Sequence, residues 1–457
     1  MIRNKKSLIA NARDHQQKNI RGDLLDIFEQ VITKIEPLAL LKNMIALEDN
    51  ILSVGEYHCH LQEYENIFLV GAGKATYQMA QALESVLGDR LQEGYINIPF
   101  KPQKNQLKKI SCTVARHPLP DTKGMRGTEK IKTLVEKAGK KDLVIGLWSG
   151  GGSALFPLPT EDILLSEKRK LTQQLLKSSA PIQEINALRK HLSQVKGGQL
   201  AKLGAPAHML NLFISDTIDD PLDGIASGPT APDSTTFQDC IDILQRHKIW
   251  SSCPSSIQKR LQKGVRGEIE ETPKESHTCF EFGENIILAN HNTAVQIAAQ
   301  IAREKGYHVL PLTSSLQGEA REVVKVLVSI GKQVNRYVTP LPRPALIIAG
   351  GETTVHVRGK GKGGRNQELV LSGLRDLQPG MTVVSVGTDG VDGITPEPVA
   401  GAIADSATMA KAQKKKLDIE KYLENNDAYH FFDQVNELIK TGPTGTNLGD
   451  LIMVAVY

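Results

Sequence analysis

Short apolar runs recur along the chain, and several of them stop abruptly at glycine or acidic residues. Ile67–Val70 runs directly into Gly71, and Ala345–Ala349 runs into Gly350. A short apolar run bounded by turn residues is typical of a strand buried on both faces. The pattern predicts strands at Ile67–Val70, Tyr95–Pro99, Ile110–Ala115, Leu143–Leu147, Met209–Ile214, Asn285–Ala289, His308–Leu312, Ala345–Ala349, Thr382–Val386 and Leu451–Val456.

Between these runs, apolar residues recur at helical spacing. The stripe Leu24, Phe28, Val31 and Ile35 indicates one such helix near the start of the chain. Helices are predicted at about residues 22–48 and at Ala75–Leu87, Gly127–Lys137, Glu167–Leu176, Thr293–Lys305 and Gln367–Leu374. Strands that alternate with helices indicate parallel sheets covered by helices on both faces.

The length of 457 residues exceeds what one core usually organises, so two domains are expected. Residues 215–280 are rich in turn formers, and Lys263–Lys274 is charged like a solvated connector. We therefore predict two domains, 1–270 and 271–457. The predicted fold class is α/β, with largely parallel, helix-covered sheets in both domains and an interdomain cleft.

Composition excludes several functional classes. The net charge is +4, and aromatic residues make up 5% of the chain, which argues against nucleic acid as a partner. No apolar segment approaches the length of a membrane span, so no membrane partner is expected. The five cysteines are scattered and form no Cys-x-x-Cys pair, which favours a reducing, cytoplasmic location. A homodimer is compatible with these features.

The turn Gly71-Ala72-Gly73-Lys74 follows a predicted strand and opens a predicted helix. Its sequence lacks the first glycine and the Ser or Thr of a Walker A loop. It nearly matches Gly-x-Gly-x-x-Gly, but Thr76 replaces the last glycine; Glu93 would then be the residue that contacts a ribose. Lys74 itself lies where a helix N-terminus favours anions. The plain alternative is a structural turn with an exposed lysine.

Two further glycine-rich segments favour phosphate chemistry. Ser149, Gly150, Gly151, Gly152 and Ser153 follow an apolar run, and consecutive free N–H groups there would cradle nucleotide phosphates. The second segment begins at Gly359, is basic and opens the helix predicted at Gln367–Leu374, which places Arg365 and Asn366 just before it. A flexible loop could deliver an arginine that stabilises a transferring phosphoryl group. The alternative is a mobile hairpin tip, which would show the same glycine-rich sequence.

Charged residues near these loops complete the candidate chemistry. Asp216 and Asp389 follow predicted strands, where a carboxylate can hold Mg²⁺ or accept a hydroxyl proton, or simply stabilise a turn. Arg189 and Lys196 lie in a basic segment that either faces solvent or binds a carboxylate or phosphate. His117, in a rigid turn, either contacts substrate or is held by local hydrogen bonds.

The ordered set of motifs resembles the glycerate 2-kinase family with its C-terminal MOFRL domain. The matching segments are GAGKAT, HPLPD, WSGGGSAL, NALRKHLSQVKGGQLA, SDTIDDPLDGIASGPTAPD, GGETTV, GKGGRNQE, GTDGVDG and GPTGTNLGDL. The resemblance implies ATP-dependent phosphorylation of D-glycerate at its 2-hydroxyl. It also implies a Rossmann-like N-terminal domain, a MOFRL-like C-terminal domain, an active site between them, and Lys74 and Arg365 as the catalytic pair.

The resulting hypothesis uses ATP and Mg²⁺. Residues 149–153 bind ATP, Lys74 and Arg365 neutralise the moving phosphoryl group, and Asp216 or Asp389 binds the metal or accepts the proton. The predicted substrate-binding set is Gly71, Gly73, His117, Arg189, Lys196 and Asn366. Two alternatives stay open: an NAD(P)H-dependent hydroxypyruvate reductase that uses Gly71–Thr76 and Glu93, and a nucleotide-binding regulator without catalysis.

Overall fold

The computed structural model describes residues 1–102 and 104–457, and its contacts divide the chain into two compact units. The central unit comprises Leu40–Leu288, and the terminal unit comprises Met1–Ala39 together with Ala289–Tyr457. The division predicted at residue 270 differs from this one in two respects. The boundary lies further along the chain, and the first 39 residues belong with the C-terminal half.

Helices and a small sheet form the first part of the chain. They are α1 (Lys5–Ala10), α2 (His15–Ile35), α3 (Pro37–Met44) and the strands β1 (Ile45–Glu48), β2 (Ile51–Val54) and β3 (Tyr57–His60). The single helix predicted over residues 22–48 is wrong, because Pro37 disfavours helical geometry at the residue before it. Glu36 accordingly has φ −57° and ψ 127°.

The rest of the central unit is built on a six-stranded sheet. Its strands are β4 (Asn66–Ala72), β5 (Leu91–Ile98), β6 (Ile110–Val114), β7 (Asp142–Ser149), β8 (His208–Ile214) and β9 (Gly283–Ala289), in the order β6-β5-β4-β7-β8-β9. Its helices are α4 (Thr76–Leu87), α5 (Thr122–Lys137), α6 (Gly152–Leu155), α7 (Leu165–Lys177), α8 (Ile182–His191), α9 (Gln199–Gly204), α10 (Phe237–Arg246) and α11 (Ser255–Val265). The pairs among β4 to β8 are parallel, as predicted.

The terminal unit carries the second six-stranded sheet. Its strands are β10 (His308–Leu316), β11 (Ala345–Gly351), β12 (Met381–Gly387), β13 (Gly401–Asp405), β14 (Leu438–Ile439) and β15 (Asp450–Val456), in the order β10-β11-β15-β12-β13-β14. Its later helices are α12 (His291–Glu304), α13 (Ala320–Tyr337), α14 (Arg365–Leu374), α15 (Ser406–Lys414), α16 (Ile419–Glu424) and α17 (Ala428–Val435).

Strand direction in this second sheet is mixed. The pair β10–β11 is parallel, whereas β15 runs antiparallel to both β11 and β12, and β13 runs antiparallel to β12. The α/β class is confirmed, but the expectation of a largely parallel second sheet is wrong. The connection from β12 to β13 contains no helix, and a parallel neighbour would need a long crossover.

Each unit has its own apolar core. Phe68, Val70 and Trp148 pack at the centre of the first sheet, and Ile347, Val383 and Val454 lie in the core of the second. The segment predicted as a solvated connector is partly helical, since α11 extends to Val265. Among residues 1–102 and 104–457, no helix combines the length and the apolar character needed to cross a membrane.

A buried arginine ties the first helices to the terminal unit. The Arg21 side chain is fully buried and donates from Nε to Asp405 Oδ2 (2.7 Å) and from Nη1 to Glu437 Oε2 (2.6 Å). Arg21 Nη1 also donates to the carbonyl oxygen of Leu8 (2.8 Å). Burial works to lower the pKa of Arg21, but the two carboxylates prevail and raise it. This network explains why the start of the chain joins the C-terminal half.

We expect Arg21→Met to destabilise the terminal unit by about 3–5 kcal/mol, because it leaves the buried Asp405 carboxylate without its cation and Glu437 with Lys411 alone. Urea unfolding followed by circular dichroism measures the change. The control is Lys18→Met at an exposed position of the same helix, for which a change within about 0.5 kcal/mol is expected. An unfolding curve of Arg21→Met that overlays the wild-type curve would contradict the structural role of the network.

Candidate active site

The loops that follow β4 and β7 form one interlocked unit. The backbone N–H of Lys74 donates to the Gly150 carbonyl (2.9 Å), and the N–H of Ala75 donates to the Ser149 hydroxyl (3.0 Å). Gly73 has φ 154°, and a Cβ there would overlap the Ser149 hydroxyl. Only glycine fits this position without displacing the neighbouring loop. The prediction that these glycine motifs lie at the carboxyl ends of strands is confirmed.

Lys74 and His117 meet above the second loop. A Cβ built on Gly151, which has φ 82°, would lie 3.1 Å from His117 Nε2 and 3.3 Å from Lys74 Cγ. Burial lowers the pKa of His117 below its ordinary value of 6.5, and the Lys74 ammonium lowers it further. The His117 imidazole is therefore predominantly neutral at pH 7, so it offers a hydrogen bond rather than a positive charge.

Asp216, which follows β8, reaches the same loop. A Cβ built on Gly150 would overlap the Asp216 carboxylate, so this carboxylate packs directly against the Gly150 backbone. The loops after β4 and β8 thus bring an ammonium and a carboxylate to the glycine loop after β7, and the turn after β6 adds the His117 imidazole. The sequence placed Lys74 and Asp216 after predicted strands, whereas it placed His117 only in a rigid turn.

Hydrogen bonds extend from the glycine loop to α8. Ser153 Oγ lies 2.8 Å from Ser227 Oγ, and Ser227 Oγ donates to Asn186 Oδ1 (3.3 Å). Arg189 Nη1 donates to the same Asn186 oxygen (3.1 Å). Ser227 has φ 62°, a left-handed conformation that is rare for a residue other than glycine and that is often found at functional sites.

Lys196 belongs to the same region. Its ammonium donates to the carbonyl of Ala226 (2.9 Å), whose φ of 52° is also left-handed. Burial lowers the pKa of Lys196 well below its ordinary value, and the neighbouring charges that add to this effect are Lys168 and Arg189. Burial also lowers the pKa of Arg189. A cluster of basic side chains, of which Lys196 and Lys168 are buried and Arg189 is partly buried, favours a bound anion beside the glycine loop.

In the terminal unit, Arg365 begins α14 and lies against the end of the second sheet. Its guanidinium makes two parallel bonds to Asp450, from Nε to Oδ2 (2.6 Å) and from Nη2 to Oδ1 (3.0 Å). Its Nη1 donates to Glu352 Oε1 (2.7 Å). Burial works to lower the pKa of Arg365, but the carboxylates of Asp450 and Glu352 prevail and raise it. Arg365 is therefore a fixed cation.

A second carboxylate fixes the start of α14. Asp392 accepts from the backbone N–H groups of Asn366 (3.0 Å) and Gln367 (2.8 Å), which are otherwise unpaired donors of the first helical turn. Burial raises the pKa of Asp392 to about 6, although these bonds oppose the shift. Asn366 Nδ2 donates to Asp450 Oδ1 (2.8 Å), so Asn366 links the helix start to the carboxylate that holds Arg365.

Asp389 has a local structural role in this unit. Its Oδ1 accepts from the N–H of Val391 (3.0 Å), which is the geometry of a turn stabilised by an aspartate. A Cβ built on Gly387 would lie 3.1 Å from Asp389 Oδ1 and 3.6 Å from Asn366 Nδ2. Asp389 and Asn366 therefore flank the end of β12. Neither Asp216 nor Asp389 belongs to a group of three or more His, Cys, Asp or Glu side chains arranged for a metal, and no such group occurs among the described residues.

The glycine-rich segment before Arg365 is anchored rather than free. The Gly361 N–H donates to the carbonyl of Asn425 (2.8 Å), the Gly359 N–H donates to Asn426 Oδ1 (2.9 Å), and the Lys362 N–H donates to Asp427 Oδ1 (2.8 Å). The flexible loop expected from the glycine content is thus held along its backbone by the turn at residues 425–427. This anchoring places Arg365 without a separate ordering step.

Sequence reasoning missed several side chains of these clusters. Asp450, Asp392 and Glu352 hold Arg365 or its helix, and Lys168 shares the buried cation cluster. The sequence could have pointed to the three acidic residues, because each stands within a few residues of a glycine at the end of a strand. No pattern in the sequence identified Lys168, whose burial depends on the packing of α7 against α8.

The dinucleotide interpretation lacks its ribose contact. Glu93 pairs in register with Phe68 near the start of β5, whereas the strand end beside Ala72 is occupied by Asn97. Glu93 Oε1 instead accepts from Lys137 Nζ (2.8 Å). Four residues of strand separate Glu93 from that edge, or about 13 Å at the usual rise per residue.

Comparison with known proteins identifies the family. A domain of unknown function, DUF4147, matches residues 23–262, and the MOFRL family matches residues 345–450. The chain is 40% identical over 391 residues to a D-glycerate 2-kinase of Thermotoga maritima, and the match covers 85% of this chain and 90% of the relative. It is 36% identical over 392 residues to a putative hydroxypyruvate reductase of Agrobacterium vitis, covering 85% of this chain and 86% of that protein.

A solved structure agrees with the sequence relatives. The crystal structure of a glycerate kinase from Thermotoga maritima superimposes with a TM-score of 0.85 at 36% sequence identity. The match covers 96% of this chain and 100% of that one. The similarity therefore extends over both units, and both family models fall on the segments that carry the glycine loops and Arg365. The chain belongs to the glycerate kinase family.

Proposed function

We propose that this protein is a glycerate 2-kinase, which transfers the γ-phosphoryl group of ATP to the 2-hydroxyl of D-glycerate and yields 2-phosphoglycerate and ADP. The observation that carries the proposal is the meeting of Lys74 and Asp216 at the glycine loop of residues 149–153. Near-full-length similarity to glycerate kinases supports it. The chemistry demands charge and positioning rather than a covalent intermediate.

The glycine loop is the proposed site for the ATP phosphates. Small residues at 150–152 let phosphate oxygens approach the backbone, and Ser149 and Ser153 are fixed by hydrogen bonds on either side. Lys74 lies over Gly151 and supplies a positive charge there. That charge stabilises the transition state most if it is held in place before the reaction, which the Lys74–Gly150 backbone bond promotes.

The proposed partners of the substrate carboxylate are Arg189 and Lys196. Both are cations next to the Ser153–Ser227 pair, and a bound carboxylate would favour their charged forms. His117 is a weaker choice for this role because it is neutral at pH 7. We assign it a hydrogen bond to the substrate instead. Gly71 and Gly73 contribute close packing of the loops, and Asn366 orients Arg365 through Asp450.

Arg365 is the proposed second cation for the transferring group. Asp450 orients the guanidinium through two bonds, and the side facing Glu352 is the more accessible one, since Glu352 is 46% exposed and Asp450 is 1% exposed. An arginine fixed in this way loses little entropy when it binds a planar anion. Its charge is secure because both carboxylates raise its pKa.

Mg²⁺ fits the central unit through Asp216. When it serves phosphoryl transfer, this ion usually takes only one or two carboxylates from the protein and completes its shell with phosphate oxygens and water. The Asp216 carboxylate lies against Gly150, beside the proposed phosphate position. Bound there, Mg²⁺ would neutralise charge on the phosphates. Asp389 is the alternative carboxylate, and either residue is also a candidate acceptor for the substrate's hydroxyl proton.

The function is tested by incubating the protein with ATP, Mg²⁺ and D-glycerate and identifying the product by ³¹P NMR. We expect 2-phosphoglycerate with stoichiometric ADP. A parallel reaction with hydroxypyruvate and NADH tests the reductase alternative, and we expect no oxidation of NADH because Glu93 is not at the nucleotide edge. Formation of 3-phosphoglycerate would contradict the 2-hydroxyl assignment, and ATP binding without transfer would favour a regulator.

We expect Lys74→Met and Arg365→Met each to reduce kcat by about 10²–10³-fold, because each removes one fixed charge from the transition state. Steady-state kinetics measures the effect, and thermal unfolding shows whether the variant is folded. The controls are the exposed cations Lys123→Met and Arg358→Met, one in each unit, which should retain wild-type kcat within about twofold. A folded Lys74→Met or Arg365→Met variant with wild-type turnover would remove that residue from the mechanism.

Removal of divalent metal should abolish phosphoryl transfer, and added Mg²⁺ should restore it. Asp216→Asn should raise the Mg²⁺ concentration needed for half-maximal activity by roughly tenfold or more, since it removes a charged ligand. Asp89→Asn, at a fully exposed site of the same unit, is the matched control. Full activity in excess EDTA, or an unchanged Mg²⁺ requirement in Asp216→Asn, would exclude the assigned role.

A further inference from the structure

Lys168 is a buried cation for which the proposed mechanism has no task. It lies in the first turn of α7 and is 7% exposed. Its ammonium donates to two carbonyl oxygens, those of Arg189 and Leu192, each at 3.0 Å. Buried lysines are rare and usually pair with a carboxylate. Here the described hydrogen-bond partners are backbone carbonyls at the end of another helix.

These carbonyls belong to the C-terminal end of α8. The last carbonyls of a helix lack partners within the helix and carry partial negative charge. The Lys168 ammonium donates to the carbonyl oxygens of Arg189 and Leu192. Arg260 Nε donates to the carbonyl oxygen of His191 (3.0 Å). Cations from α7 and α11 therefore close the end of α8, the turn from which the Arg189 side chain extends.

The charged groups that shift the pKa of Lys168 are both cations, although Arg260 also pairs with Asp162 (3.2 Å) and the neighbouring His191 with Glu271 (3.0 Å). Burial, followed by the charges of Arg189 and Arg260, lowers the pKa of Lys168 to about 7. Burial, together with the charges of Lys168 and Arg189, also lowers the pKa of Lys196. Like charges held together in a buried place repel one another strongly. An anion bound among them would relieve this repulsion.

We propose that Lys168 is a positioning residue that sets the affinity of the Arg189–Lys196 cluster for a carboxylate ligand. It anchors the helix end that carries Arg189, and in its protonated form, which a bound carboxylate favours, it adds a third positive charge without contacting the ligand. This inference rests on the proposed function, because it takes D-glycerate as the carboxylate. It predicts selectivity: binding of the hydroxy acid depends on Lys168, whereas binding of ATP at the glycine loop does not.

The test compares wild type with Lys168→Met, whose side chain has a similar length but no charge. Calorimetry with D-glycerate alone should show a dissociation constant about tenfold higher, the usual scale for losing hydrogen bonds from a charged group. The KM for D-glycerate should rise in parallel, while kcat and the KM for ATP stay within about twofold. Lys170→Met, an exposed lysine on the same helix, is the control and should match wild type.

Two further variants separate positioning from general stability. In Lys168→Gln the amide still donates to carbonyls but carries no charge, so the D-glycerate dissociation constant should lie between those of wild type and Lys168→Met. This variant also carries the test if Lys168→Met does not fold. In an Arg189→Met background, adding Lys168→Met should weaken D-glycerate binding by less than it does in wild type, because the anchored residue is absent and only the charge of Lys168 is lost.

Several outcomes would overturn the inference. One is a folded Lys168→Met that binds D-glycerate like wild type. Another is an equal loss for ATP and D-glycerate, or a full additional loss in the Arg189→Met background, either of which would indicate a merely structural lysine. If wild type neither binds nor phosphorylates D-glycerate, the proposed function itself fails and this inference fails with it. Wild-type activity together with an insensitive Lys168→Met would reject the inference alone.

Discussion

The candidate site of the central unit depends on the close approach of two backbones. The loops after β4 and β7 touch at Gly73 and Ser149 with no room for a Cβ between them, and Lys74 and Gly150 are joined by a backbone hydrogen bond. This contact brings the side chain of Lys74 over Gly151 and leaves space for Asp216 against Gly150. A larger residue at 73 or 150 would separate the loops and disperse the charges that they hold.

The two units keep their charges in place in opposite ways. In the central unit, buried cations cluster near Ser153 and Ser227, and their mutual repulsion favours a bound anion. In the terminal unit, Arg365 is surrounded by carboxylates that hold it in one orientation. The first arrangement suits the proposed binding of a negatively charged ligand. The carboxylates of the terminal unit hold the single Arg365 guanidinium in a fixed orientation. Asp392 and the turn at residues 425–427 fix the backbone from which this side chain extends.

The sequence predicted β4 to β12 and β15, because buried strands are short apolar runs, but it missed the short strands β1 to β3, β13 and β14. It failed where long-range packing decides. Strand direction in the second sheet depends on the position of β15 between β11 and β12. Residues 1–39 belong to the terminal unit because Arg21 pairs with Asp405 and Glu437. Lys74 and Arg365 could be named from motifs, but Lys168 becomes visible only once the helices that pack around it are known.

The position of β15 has a consequence for synthesis on the ribosome. This strand is the last in sequence but lies in the interior of its sheet, between β11 and β12. The central unit, built from one continuous segment, can acquire its core while later residues are still being added. The terminal unit must wait, with β11 and β12 lacking their shared neighbour, until residues 450–456 have been added. Nascent chains of this protein therefore expose two unpaired strand edges for longer than a sheet assembled in sequence order would, and such edges invite pairing with other chains.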